Sequence, residues 1–337
     1  MTPHSSHANS PLPSASIIGT GSFVPKKVLT NADLERMVDT SDEWITTRTG
    51  IKERRIALPT KATSDMGAEA SKRALQDAGL DASRIDLILC ATVTPDMPFP
   101  STACFIQKKI GATVAACLDL GAACSGFLYA LETARQFVAT GTFKTVLVVG
   151  AEKLSSVVDW TDRNTCVLFG DAAGAAILQH RAKGRGILGT VMGSDGRHAD
   201  ILCLPGGGSK HPITPENVKD KLNTIKMSGK ETYKFAITAM QNAALAVLKK
   251  TGVSAEQISL VIPHQANLRI VESLADKLGV GLDRCYVNLD KYGNTSAASV
   301  AVALDEAAKS GRLKRGDLIL FVAFGGGLTW AASVLEW

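Results

Sequence analysis

Two separate stretches of this 337-residue chain recur at one spacing, and that recurrence restricts the fold more than any other feature. Ala74–Leu89 (ALQDAGLDASRIDLIL) resembles Val247–Ile262 (VLKKTGVSAEQISLVI), with Gly79 matching Gly252, Ile85 matching Ile258 and Leu87 matching Leu260, each 173 residues apart. Gly121–Ala134 (GAACSGFLYALETA) and Asn294–Ala307 (NTSAASVAVALDEA) repeat at the same offset. Each copy reads as a helix stopped by glycine, a β-branched strand, then a turn of small residues opening another helix. Strands follow at Thr145–Gly150 and Asp317–Ala323, apolar throughout, as strands covered on both faces are. Alternating helices and strands predict an α/β fold made of two similar halves, with the chemistry where the halves meet.

Composition removes several function classes. The chain is 45% hydrophobic and 20% charged, which suits a globular core. No apolar run approaches the roughly 20 residues that a membrane-spanning helix needs. The first fifteen residues lack a basic stretch followed by an apolar one, so they read as a loose tail rather than a secretory signal, and the cytosol is expected. Seven cysteines include no CxxC pair, which argues against a zinc site or a disulfide framework. The net charge of +5 comes without a dense basic run, and aromatics are 5%, which argues against nucleic acid.

Three residues and one loop carry possible chemistry. Cys124 precedes the helical pattern Phe127, Leu128, Leu131, Ala134, where the helix dipole lowers a thiol pKa; a buried inert cysteine has the same surroundings. His264 ends the strand Leu260–Pro263, as a positioned imidazole or as a core histidine. Asn294 opens the second-half helix, as its cap or as an amide donor. Under the offset it falls at Gly121, while Cys124 falls at Ala297 and His264 at Ala91. Phe324–Trp330, with three glycines, makes a simple turn or aims a bare N–H at an oxyanion. Position alone leaves each choice open.

Taken together, Ala123–Gly126, His264–Arg269, Gly293–Ser296, Gly325–Trp330, Asp39–Ile45 with Arg48–Ile51, and Phe169–Gly174 resemble the β-ketoacyl-[acyl-carrier-protein] synthase III family, in order from about Ile17 to Trp337. The resemblance implies a thiolase-like fold of layered αβαβα architecture, with a tail at 1–15, a first half at 16–185 holding the nucleophile and a second half at 186–337 holding His and Asn. It implies a homodimer and a ping-pong reaction: Cys124 takes an acyl group from acyl-CoA, CoA leaves, and decarboxylation of malonyl-ACP gives the carbanion that attacks the acyl-cysteine. His264 and Asn294 would donate to the enolate oxygen, and the N–H groups of Cys124 and Gly326 would form the second oxyanion hole. No metal and no cofactor are implied, since acyl-CoA is a substrate.

Carried over by position, Trp44 and Arg163 would hold the CoA adenine between them, with Thr40, Arg48 and Asn267 completing the CoA contacts. Gln265, Ala266, Asn267, Leu268 and Arg269, with Lys234 and Lys277, would meet the carrier protein, and Phe99 would close the acyl pocket of the partner subunit. Pro205–Met227 is longer than the family pattern, and its Gly/Pro content predicts a mobile segment near the tunnel mouth. Cys, His and Asn also occur in that order in papain-like hydrolases, but the local papain signature is absent. Relatives that condense longer or secondary-metabolite primers share the motifs, and a non-enzymatic CoA-binding module would not need all three reactive positions filled.

Overall fold

A computed structural model describes residues 14–181 and 186–337. The expected N-terminal tail lies outside the described residues up to position 13. Ser14 and Ala15, assigned to that tail, instead begin strand β1 (Ser14–Phe23), where Ala15 is fully buried and pairs with His180.

The first sheet has the order β1, β7 (Asp171–Arg181), β6 (Thr145–Lys153), β4 (Leu87–Ala91) and β5 (Ala116–Leu120). The second has β8 (Gly186–Ser194), β13 (Thr329–Glu336), β12 (Leu318–Gly325) and β11 (Leu260–Pro263). Both repeat one pairing pattern: two antiparallel ladders, then a parallel one, β6 with β4 in the first sheet and β12 with β11 in the second. The second counterpart of β5 has shrunk to a single bridge between Val261 and Cys285.

Helices α5 (Gly126–Ala139) and α9 (Ala298–Lys309) lie between the sheets. Their Leu128, Leu131, Val300 and Leu304 join Leu87, Leu89, Val146 and Val148 from one sheet and Ile262, Ile319 and Phe321 from the other. The alternate residues Ile88, Leu147 and Val149 face outward, under α3 (Thr63–Ala78) and α4 (Thr102–Ile110). Val261, Leu320 and Val322 likewise meet α6 (Gly229–Thr251) and α7 (Leu268–Leu278). Both faces of these strands are therefore buried, which explains why they read as unbroken apolar runs. Each such side chain contributes about 1.5–3 kcal/mol. The result is the five-layer αβαβα stack that the resemblance implies. Smaller elements flank it: β2 (Lys27–Thr30) paired with β3 (Glu53–Ile56), α1 (Asn31–Glu35), α2 (Asp42–Thr49), α8 (Leu289–Tyr292), and the short ladder of β9 (Leu202–Cys203) with β10 (Lys226–Met227).

The repeat extends to backbone geometry. Among the described residues only three non-glycines have positive φ, and two of them, Ala123 (φ 45°) and Ser296 (φ 47°), are 173 residues apart. Each forms the corner just before a central helix. The corners interlock with the opposite sheets: a Cβ on Gly150 in β6 would lie 2.5 Å from Ala297 O, and one on Gly325 in β12 would lie 2.5 Å from Cys124 N. Only glycine lets the strands come this close.

Candidate active site

Cys124 sits in the 3-10 turn Ala123–Ser125 that leads into α5, and is 8% exposed. Two hydroxyl bonds fasten this turn to the glycine-rich loop after β12: Thr329 Oγ1 donates to Ala122 O at 2.8 Å, and Ser125 Oγ donates to Thr329 O at 3.2 Å. The loop is held so that Gly326 and Cys124 line one cavity together. The sequence predicts a lowered thiol pKa; here burial pushes it up to about 12, and the carboxylate of Glu152 adds to the rise. The Ser296 hydroxyl and the backbone of Cys124 act in the opposite direction. Cys124 precedes the first residue of α5 by two positions, where the benefit of the helix dipole is already falling away.

His264 follows β11, its backbone N–H donating to Val322 O at 2.7 Å. The ring is 3% exposed, and its Nδ1 lies 2.7 Å from Ser299 Oγ in the first turn of α9. Burial lowers its pKa to about 3, so the imidazole is neutral. Asn294 does not cap α9, as one reading of the sequence had it. Its N–H donates to Leu168 O, its Oδ1 accepts from Ser296 N at 2.8 Å, and the helix starts four residues later at Ala298. With Oδ1 so engaged, the amide NH2 is the polar edge left for the cavity that Asn294 lines.

Cys124 stands where two cavities meet. One, of about 260 Å³, holds Cys124, His264 and Asn294 at its inner end and reaches Asn267, Arg48 and Trp44. The other, of about 190 Å³, is walled by Val93, Leu154, Val157, Leu202, Leu204 and Ile225. A thiol between a long channel and an apolar pocket, with a neutral imidazole and a carboxamide on the channel side, suits an acyl group on sulfur and an enolate oxygen opposite it. No group of three His, Cys, Asp or Glu side chains among the described residues could hold a metal ion.

Comparison with known proteins agrees with this geometry. A family model described as 3-oxoacyl-[acyl-carrier-protein (ACP)] synthase III matches residues 118–196, and the model of its C-terminal part matches 248–337. A beta-ketoacyl-[acyl-carrier-protein] synthase III from Caldanaerobacter subterraneus is 58% identical over 96% of this chain and 98% of its own. The chain belongs to the 3-oxoacyl-[acyl-carrier-protein] synthase III family.

The synthase is thus a condensing acyltransferase that initiates fatty-acid synthesis, and the hydrolase and binding-module readings fall away. Its thiolase-like fold superposes on the crystal structure of 3-oxoacyl-[acyl-carrier-protein] synthase III from Aquifex aeolicus with a TM-score of 0.89, at 50% identity over 96% of this chain and 100% of that one. The priming beta-ketosynthase of the R1128 polyketide pathway also matches at 0.89, with 36% identity over 96% of each chain.

The remaining sequence-predicted residues of the synthase divide into three groups. Arg269, Lys234 and Lys277 are exposed, and Arg269 donates to Thr47 O at 3.0 Å. Ala266 and Asn267 line the larger cavity; Asn267 caps α7 by accepting from Arg269 N at 2.9 Å and ties it to α2 by donating to Arg48 O at 3.0 Å. Gln265 corrects the expectation of a carrier contact: it is 1% exposed and donates to Pro263 O and Tyr286 O. Leu268 is half-buried beside Gly50. Thr40 is half-buried, and its hydroxyl is enclosed without a hydrogen-bond partner among the described residues.

Trp44 carries two cation–π contacts, with the guanidinium groups of Arg48 and Arg163 each 4.6 Å from its ring centroid. A base between Trp44 and Arg163 needs about 7 Å, twice the 3.4 Å stacking step, so Arg163 must swing aside. Phe99 is 84% exposed and does not line the apolar cavity. The segment 205–227, expected to be mobile, is tied down. Lys221 Nζ bonds both oxygens of Asp159 at 2.9 Å, Ile225 N donates to Val157 O at 2.8 Å, and β9 with β10 closes its base. Leu204 and Ile225, at its ends, wall the apolar cavity.

Sequence reasoning missed Ser299, Ser296 and Glu152. Each had a signal: the serines interrupt an Ala/Val-rich stretch around the helix start, and Glu152 follows the apolar run Val146–Ala151 near the end of β6.

Proposed function

We propose that Cys124 accepts an acyl group from acyl-CoA, acetyl-CoA above all, and that malonyl-ACP then enters the same channel and is decarboxylated to give 3-oxoacyl-ACP. The placement of Cys124 between a polar-ended channel and an apolar cavity carries this reading. The acyl chain occupies the apolar side, and the pantetheine arm of either substrate fills the channel. His264 Nε2–H and the Asn294 amide stabilise the enolate as CO₂ departs, and the N–H groups of Cys124 and Gly326 hold the oxyanion of the acyl-cysteine step. Trp44, Arg48 and Arg163 grip the CoA nucleotide, and Arg269 with Lys234 and Lys277 draws in the acidic carrier.

The working unit in this reading is a cytoplasmic homodimer. What supports a dimer is an open edge: among the described residues β5 pairs only with β4, and Val93, Met97, Phe99, Val114 and Leu118 near it are all more than a third exposed. Phe99 would then reach the partner's apolar cavity. Among the described residues no helix is long and apolar enough to cross a membrane.

Incubation with radiolabelled acetyl-CoA, followed by peptide mapping, tests the assignment. The label should appear on Cys124 and vanish in Cys124→Ser; label that persists in the variant overturns it. A panel of acyl-CoAs read by adduct mass gives the primer range.

A further inference from the structure

Acylation leaves a proton to be placed. The Cys124 thiol must lose it as Sγ attacks the thioester carbon, and the departing CoA sulfur must gain one. The nearest imidazole is ill suited to take it: His264 is buried, its cation is strongly disfavoured, and Nδ1 is already engaged by Ser299. Asn294 is no base.

Two other groups belong to the corner of the fold that packs against Cys124. Ser296 supplies the one hydroxyl that lines the apolar cavity with Cys124. It is 2% exposed, its Oγ is buried without a hydrogen-bond partner among the described residues, and positive φ fixes its direction. The corner it forms is wedged between the two elements in question: Ala297 O faces Gly150, two residues before Glu152, and Ala297 Cβ faces Gly126, two residues after Cys124. Behind it, Glu152 is fully buried. Thr94 Oγ1 donates to its carboxylate at 2.7 Å, Thr92 Oγ1 at 3.1 Å and Val93 N at 3.1 Å, and no Lys or Arg pairs with it among the described residues. A buried carboxylate with no cation is costly unless its charge is needed or is shared with a proton.

We propose that Glu152, acting through the Ser296 hydroxyl, receives the proton that Cys124 releases on attack and returns it to the leaving CoA thiolate. This rests on Cys124 being the nucleophile. As the Sγ–C bond forms, the thiol proton passes to Ser296 Oγ and the proton of Ser296 passes to Glu152. When the C–S bond to CoA breaks, its electron pair stays on the CoA sulfur, which takes a proton back along the same path. The sum is thiol plus thioester giving thioester plus thiol, with no proton lost. Thiolate and carboxylate never coexist at full charge, so the pair titrates as a unit.

The surroundings agree. Burial raises the Glu152 pKa to about 7, and the bonds from Thr94, Val93 and Thr92 pull against that rise. The titratable groups facing Glu152 are the Cys124 thiol and that of Cys90 on β4, whose ionisation it opposes; Asp96 and Asp119 act on Cys90 as well. Lys153, next in β6, turns away to the carbonyls of Leu58, Pro59 and Lys61.

The test is the pH profile of single-turnover acylation from acetyl-CoA, read as the acylated Cys124 peptide, in the full-length enzyme and in Glu152→Gln, Glu152→Asp and Ser296→Ala. The wild-type rate should climb through pH about 7 as Glu152 becomes able to accept. Glu152→Gln and Ser296→Ala should each lose that limb and run about 10²-fold slower at pH 7, with Glu152→Asp restoring part of both. Removing a bystander charge beside a thiol would instead make acylation faster at pH 7, so a faster Glu152→Gln, or a variant that keeps the wild-type limb, overturns the relay. Ser296→Ala decides alone should Glu152→Gln not fold. An acyl group found on a residue other than Cys124 marks failure of the nucleophile assignment rather than of the relay.

Discussion

Ser299 Oγ and His264 Nδ1 are 2.7 Å apart, a contact that fixes how the imidazole sits in its pocket. Gln265 N also donates to Ser299 Oγ, at 3.5 Å, and the role proposed for His264 requires the serine to donate to Nδ1. Nε2 is then left protonated and aimed as a donor. Ser299→Ala should loosen the ring and lower malonyl-ACP decarboxylation by about 10²-fold, with acylation from acyl-CoA unchanged. Measured separately, equal losses in the two half-reactions would refute a positioning role.

His264→Ala and Asn294→Ala should each cut decarboxylation by roughly 10²–10³-fold, the usual effect of losing one oxyanion donor. Both variants should still take up labelled acetate on Cys124. A variant that decarboxylates at the wild-type rate would remove that residue from the enolate site.

The burial of His264 makes a pH prediction with a definite sign. Its pKa is depressed to about 3, so the ring stays neutral above that value and no charge change occurs between pH 5 and 8. Decarboxylation by the pre-acylated enzyme should therefore show no limb near pH 6.5 that disappears in His264→Ala. Folding follows the same sign: the unfolded chain takes up a proton at His264 below about pH 6.5 while the native state does not, so stability falls as pH drops from there towards 3. Urea midpoints at pH 7 and pH 5, compared between wild type and His264→Ala, measure that share.

At the channel mouth, Arg163 lies against Trp44 and is also 3.2 Å from Asp39. Arg163→Ala should raise KM for acetyl-CoA roughly threefold to tenfold, as expected of an exposed cation–π partner, with kcat nearly constant. Initial-rate kinetics at varied acetyl-CoA give both numbers.

Reversing one surface charge should separate the two substrates. Arg269→Glu is expected to raise KM for malonyl-ACP about tenfold and to flatten its salt dependence, leaving acylation by acyl-CoA intact. Parallel loss in both reactions would mean that Arg269 serves only to tie α7 to Thr47.

The fold was legible because the repeat was. Gly79 and Gly252, 173 residues apart, both end helices with φ near 65°, and the strands that follow them occupy equivalent places in the two sheets. That Cys124, His264 and Asn294 would share one cavity was legible from motifs at strand and helix ends. What sequence could not supply was depth. Nothing in the letters distinguishes Gln265, sealed under Tyr286, from Arg269, open to solvent four residues later. Helix proximity argued for an acidic thiol at Cys124, whereas desolvation, a property of the whole packing, dominates there. The apolar cavity was invisible because Val93, Leu154, Val157, Leu202 and Ile225 come from four separate stretches.

The twin corners at Ala123 and Ser296 have a consequence for how firmly the sulfur is aimed. Among the described residues twelve glycines elsewhere adopt positive φ, yet neither corner uses one. A side chain in that region costs backbone energy that glycine would relieve, but glycine would also widen the range of directions open to the next residue. Alanine and serine trade comfort for stiffness. The Cys124 thiol hangs from a hinge that has been locked, and the opposite corner is held with the same rigidity.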